Sequence, residues 1–198
     1  MLNIANKNLY TIPDNIPCNI TVLECAENNL TELPKLPESL EILDCPENKI
    51  QIIDMLNNIN LKILNCSSNN IYLLNIIYDK IIELYYAYNN ITNYDIIGKY
   101  MYILERQNII LQNHIILEPL STIFCKINVL NCQSNKLLYL PDISQTKIYR
   151  LNCSYNYIKK IGKLPKSIKY LHCEYNQLTN KSIKYLEKNK KYLEYLQY

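Results

Sequence analysis

The chain has 198 residues, 48% hydrophobic and 20% charged, a balance that suits one folded domain. Tyrosine carries the aromatic load, with 19 residues against 1 Phe and no Trp, while only 2 Gly leave nothing to build a glycine-rich phosphate loop. A net charge of +3 is too small to demand a polyanionic partner, and no apolar run approaches the roughly 20 residues of a membrane-spanning helix.

Residues 1–19 open with Leu2/Ile4/Lys7/Leu9, a worn copy of a frame that the following residues repeat cleanly. Met1 to Leu9 lack a basic segment followed by a long apolar run, so they do not read as a secretory signal, and a cytoplasmic protein is expected. The Pro-spaced stretch Ile12 to Pro17 predicts an extended return limb, because proline fixes φ and pushes its predecessor towards extended geometry. From residue 20 to 91 the frame is Leu, Cys, Asn and aliphatic at i, i+2, i+5 and i+7: Leu23/Cys25/Asn28/Leu30, Leu43/Cys45/Asn48/Ile50, Leu64/Cys66/Asn69/Ile71 and, with Tyr for Cys, Leu84/Tyr86/Asn89/Ile91. The asparagines fall 20 or 21 residues apart, and a fixed period of that size marks stacked repeats. Residues 92–126 break the period: Ile103/Glu105/Asn108/Ile110 fits the frame only loosely, and Ile96, Ile97, Tyr100, Met101 and Leu104 are spaced as on a helix. This stretch is expected to be a degenerate repeat or an insertion that bulges on the convex side.

Residues 127–178 restore the frame as Leu130/Cys132/Asn135/Leu137, Leu151/Cys153/Asn156/Ile158 and Leu171/Cys173/Asn176/Leu178. Residues 179–198 then read as a C-terminal cap, a short helix with Ser182 as N-cap and Ile183, Leu186 and Tyr185 as its apolar stripe, followed by a last strand over Tyr192 to Leu196. All of residues 1–198 are thus expected to form a single solenoid.

Six of the eight cysteines (Cys25, Cys45, Cys66, Cys132, Cys153 and Cys173) hold one repeat position, two residues after an inward Leu. Strand alternation turns them inward as well, which predicts reduced core thiols acting as small buried hydrophobes. No Cys-x-x-Cys pair exists, so neither a metal nor any other cofactor is expected. The repeated Asn sits where the strand turns away, and its amide has both donor and acceptor for the peptide groups of a buried bend.

The frame resembles the leucine-rich repeat, Leu-x-x-Leu-x-Leu-x-x-Asn/Cys-x-Leu, with Cys at the third Leu. Leu33-Pro34-Lys35-Leu36-Pro37 and Leu164-Pro165-Lys166-Ser167-Ile168 resemble the short repeats of bacterial effector proteins, and Cys-bearing repeats of this kind are similar to those encoded by giant DNA viruses. The resemblance implies an α/β-type, right-handed leucine-rich-repeat superhelix with a parallel concave β-sheet, a mostly extended or irregular convex side and little helix. Some similar effectors carry a separate ubiquitin-ligase domain, which is not expected within these 198 residues.

No catalytic residues are expected. His172 beside Cys173 invites a nucleophile reading, but strand alternation puts the two on opposite faces. What remains is the concave face. One outward column reads Glu24, Asp44, Asn65, Tyr85, Asn131, Asn152 and His172; a second reads Glu27, Glu47, Ser68, Tyr88, Ser134, Tyr155 and Tyr175. Tyrosine combines a large apolar body with a polar tip and is enriched in interfaces, so Tyr88, Tyr155, Tyr170 and Tyr175 are the expected anchors for a protein partner. Self-assembly through sheet edges or solenoid ends is the competing reading. A third is single-stranded nucleic acid bound by the tyrosines and lysines of the C-terminal third, among them Lys159, Lys160, Lys163, Lys166 and Lys169.

Overall fold

The computed structural model describes residues 1–13, 15–55, 60–76, 80–91, 126–140 and 142–198. The degenerate segment expected at 92–126, apart from its last residue, lies outside them, and so does its loose frame Ile103/Glu105/Asn108/Ile110.

Each described repeat contributes one short strand centred on its inward Leu: β1 (Leu2–Asn3), β2 (Val22–Glu24), β3 (Ile42–Asp44), β5 (Ile63–Asn65), β7 (Glu83–Tyr85), β8 (Val129–Asn131), β9 (Arg150–Asn152), β10 (Tyr170–His172) and β11 (Tyr195–Gln197). All pair in parallel in chain order, forming a nine-stranded sheet among the described residues. Register is uniform, so that Leu2, Leu23, Leu43, Leu64, Leu84, Leu130, Leu151, Leu171 and Leu196 form a single row. Leucine on every rung fixes that register, because a slip of one residue would turn the whole apolar row to solvent.

The spine behind the sheet has a second row: Cys25, Cys45, Cys66, Cys132, Cys153 and Cys173, all at 0% exposure and all free thiols. Tyr86 fills the same row where β7 meets β8 and is itself buried. Three thiols donate across the rung gap to a neighbouring carbonyl, Cys66 Sγ to Tyr85 O at 3.5 Å, Cys132 Sγ to Asn152 O at 3.4 Å and Cys173 Sγ to Gln197 O at 3.4 Å. Parallel side-chain directions stack the thiols without bridging them.

At the bend that follows, the asparagines form a ladder. Asn48 Nδ2 donates to Cys25 O on the preceding rung at 3.0 Å and to Cys45 O and Pro46 O on its own, while its Oδ1 accepts from Leu30 N at 3.0 Å. Asn69, Asn89, Asn135, Asn156 and Asn176 repeat the pattern. The ladder passes directly from Asn89 to Asn135: Ile91 N donates to Asn135 Oδ1 at 3.1 Å, across 44 positions of sequence.

Among the described residues the outer limbs are extended or irregular, as predicted for those that carry prolines. Two of them align well enough to pair as β4 (Ile52–Met55) and β6 (Leu73–Ile76), a parallel two-stranded sheet that seals the spine with Ile53 and Leu74.

The cap differs from expectation at its start. Helix α1 (Asn180–Asn189) is capped by Thr179, whose side chain accepts from Ser182 N, and not by Ser182 itself. Ser182 lies inside the first turn and is buried, where its hydroxyl accepts from Ile161 N at 3.1 Å and donates to Lys159 O at 3.4 Å. In the preceding limb Ile161 N has the Ser182 hydroxyl as its partner, while Lys159 O accepts from Thr179 N at 3.0 Å as well, so the Ser182 side chain serves the limb and the Thr179 side chain serves the helix. Leu186 is fully buried beneath the last rung, flanked by half-buried Ile183 and Tyr185. The final strand is β11 at Tyr195–Gln197, after a 3-10 turn at Lys190–Tyr192. No helix among the described residues is long and apolar enough to cross a membrane.

Candidate functional site

The sheet face turned away from the spine is built from the residues on either side of the inward Leu. Before it runs a row of Val22, Ile42, Ile63, Glu83, Val129, Arg150, Tyr170 and Tyr195; after it runs Glu24, Asp44, Asn65, Tyr85, Asn131, Asn152, His172 and Gln197. The first expected column, Glu24 to His172, therefore stands on the sheet as one row, and its members are half-buried by their neighbours above and below.

Several of these side chains are engaged within the face. Asn65 Nδ2 donates to Asp44 Oδ1 and Asn152 Nδ2 to Gln133 Oε1, both at 2.8 Å. Asn65, Asn131 and Asn152 also accept, through Oδ1, the backbone N–H two residues on. These asparagines close the turn that ends each strand, an Asx arrangement, as well as facing solvent. Tyr85 donates to Glu83 Oε2 at 2.8 Å, and Tyr170 to Glu194 Oε2 at 2.6 Å. Burial, with help from the Glu83 bond, pushes the Tyr85 phenol up to about 12. The bond to Glu194 raises Tyr170, and the same bond, with Lys169 beside it, holds the Glu194 carboxyl below its ordinary value.

The second expected column lies elsewhere. Glu27, Glu47, Ser68, Tyr88, Ser134, Tyr155 and Tyr175 follow the strands by three residues and adopt left-handed backbone, with φ between 52° and 54°. They form a rim at the end of the strands and not part of the sheet face, because the chain turns away before alternation can continue. Asn6, with φ 53°, begins the same column. Glycine and asparagine are the usual signals of that geometry, and none of the seven carries one, so periodicity alone hid it. On this rim Tyr155 and Tyr175 stack at 4.3 Å between ring centroids, and Gln133 Nε2 donates to the Tyr88 hydroxyl at 3.0 Å.

Aromatic contact gathers at the last rungs. Arg150 lies over the Tyr170 ring at 5.1 Å, and His172 meets Tyr195 at 4.6 Å. Of Arg150's row, sequence reasoning singled out only Tyr170 as an anchor, because its other β-branched and aromatic residues look like ordinary strand formers. His172 and Cys173 point to opposite sides, the thiol at 0% exposure in the spine, and no cluster of three or more metal-ligating side chains occurs among the described residues.

Charge is segregated along the coil. Residues 1–50 hold 3 Lys and 8 Asp or Glu, a net −5, while residues 127–198 hold 13 Lys or Arg and 4 Asp or Glu, a net +9.

No protein-family model matches the chain. A stretch of 40 residues is 50% identical to the E3 ubiquitin-protein ligase SspH1 of Salmonella typhimurium, 20% of this chain and 6% of that one. Among solved structures the chain is similar to a Shigella effector LRR domain, with a TM-score of 0.68 and 23% identity over 96% of this chain and 75% of that one. It is similar also to YopM from Yersinia enterocolitica, TM-score 0.66 and 23% identity over 87% of this chain and 32% of YopM. InlJ from Listeria monocytogenes, whose functional domain includes a cysteine ladder, gives a TM-score of 0.60 and 22% identity over 86% of this chain and 38% of that one. The chain thus spans about a third of YopM and a small part of SspH1. Row by row and by overall superposition, this is the leucine-rich-repeat solenoid fold.

Proposed function

We propose that the chain is a non-enzymatic protein-binding module that receives its partner on the concave sheet face, over rungs β7 to β10. The observation that supports this most is the concentration there of aromatic and cationic side chains, Tyr85, Arg150, Tyr170 and His172, on rungs that the spine and the asparagine ladder hold rigid. Rigid aromatic groups give contact area at low entropic cost, and hot spots favour Tyr and Arg. The rim tyrosines Tyr88, Tyr155 and Tyr175 widen the same surface, while Glu24 and Asp44 give its far end the opposite sign. A leucine-rich-repeat fold suits protein partners in general. Reduced thiols in the spine agree with a cytoplasmic setting, where disulfides are rare.

Photo-crosslinking tests the face. With benzoylphenylalanine in place of Tyr85 or Tyr170 on the sheet, or of Tyr72 on the outer limb, the sheet positions should trap a protein from cells of the native source and Tyr72 should not. Equal trapping from Tyr72 would contradict the reading. Crosslinks only to a second copy of the chain would favour self-assembly instead.

A further inference from the structure

Arg150 is the only lysine or arginine in the two outward rows of the sheet, and among the described residues it makes no ion pair. One carboxylate, Glu83, stands in its row and another, Glu194, lies just before the row's last member Tyr195, yet each is taken elsewhere. Glu83, two rungs back, accepts from the Tyr85 hydroxyl, and Glu194 accepts from the Tyr170 hydroxyl and pairs with Lys169 at 3.3 Å. The guanidinium instead lies over the Tyr170 ring, its Cζ 5.1 Å from the centroid, and no hydrogen bond from its N–H groups occurs among the described residues. A planar guanidinium fork matches a carboxylate through two parallel hydrogen bonds. Around it Tyr85, Asn131, Asn152 and His172 offer phenol, amide and imidazole groups suited to a peptide.

From this geometry we infer that the concave face takes an acidic segment of its protein partner, with one Asp or Glu carboxylate of that segment clasped by Arg150 beside Tyr170. The inference rests on the docking face proposed above and names the chemistry of its occupant. Charge complementarity sets both site and polarity. The net +9 of residues 127–198 attracts such a segment to the last rungs, and Glu24, Asp44 and Glu83 repel it from the earlier ones. Rungs β8 to β10 span about 10 Å at the usual strand spacing, a length that about three extended residues cover.

The test is fluorescence anisotropy on the full chain, with a labelled peptide of about a dozen residues alternating Glu and Ser, a matched peptide with Gln for Glu, and a labelled single-stranded DNA of similar length. The acidic peptide should bind at physiological salt and the Gln peptide should not. Arg150→Ala should weaken binding about tenfold or more, and Arg150→Lys should restore it only in part, because an ammonium lacks the planar fork. The double variant Lys159→Ala, Lys160→Ala, on the neighbouring outer limb, should stay within about twofold of the original chain. Arg150 is exposed, so its variants should melt at the unchanged temperature. Equal losses in the arginine and lysine variants, no binding of the acidic peptide, or tighter binding of the DNA would each overturn the inference. If the peptide fails while Tyr85 and Tyr170 still trap a partner, only the acidic occupant is lost; if both fail, the face itself is wrong.

Discussion

Asn69 shows what one side chain does in this coil. Its Nδ2 donates to Cys45 O at 3.0 Å, Cys66 O at 3.2 Å and Ser67 O at 3.1 Å, and its Oδ1 accepts from Ile50 N at 2.9 Å. Asn69→Ala leaves Ile50 N without its acceptor, while Cys45 O, Cys66 O and Ser67 O keep Asn48 Nδ2, Asn89 Nδ2 and Glu47 N; one unmet buried group costs about 1–3 kcal/mol, so a urea titration should show a loss of that size. The thiols behave differently, because what they resist is ionisation. Burial pushes Cys132 and Cys173 up to about 12 and raises Cys66 and Cys153 as well, while a bond to Cys25, then burial, raises Cys45. The folded state keeps protons that the unfolded chain sheds above about pH 8.5. Their contribution is therefore fully present below that value and is lost as pH climbs towards 12, at about 1.4 kcal/mol per pH unit for each thiol. Urea midpoints should agree at pH 7 and 8 and fall clearly by pH 10; a flat profile would mean that the column is wet. The Leu, Cys and Asn positions were legible because their chemistry recurs at a fixed offset. The left-handed rim was not, since Glu27, Ser68 and Tyr88 share a backbone conformation and no chemistry.

Among the elements, the cap helix shows where reading stops. Leu186 at helical spacing placed α1 correctly, but two hydroxyls lie at its start, and only their depth decides which one caps. Thr179→Ala removes a side-chain cap and should cost about 1 kcal/mol. Ser182→Ala should cost at least as much, through the lost bonds to Ile161 N and Lys159 O. Thermal melts of the two variants measure both. If Ser182→Ala were neutral and Thr179→Ala severe, the division of labour between them would be wrong. The strand pair β4 and β6 was likewise legible only as extended limb. Pairing depends on two limbs of equal shape lying side by side, and Ile52-Ile53 and Leu73-Leu74 carry no mark of it. Arg150 stands at the opposite extreme: its place on an outward row follows from the frame, while its freedom from the neighbouring carboxylates depends on where two tyrosine hydroxyls point.

For the molecule as a whole, stability is a sum over rungs, because each coil buries its leucine and cysteine only against the coils above and below. The face on which a partner is proposed to dock exists only if that spine is closed, since the same alternation that hides Leu64 and Cys66 presents Ile63 and Asn65. The measurement that bears on this most directly is alkylation of the native protein with a bulky maleimide, quenched over time and mapped by peptide mass spectrometry. Cys18, which is exposed, should be labelled at once, whereas Cys25, Cys45, Cys66, Cys132, Cys153 and Cys173 should stay unlabelled until denaturant unfolds the chain. Labelling of those six in the native protein at the rate of Cys18 would contradict the account.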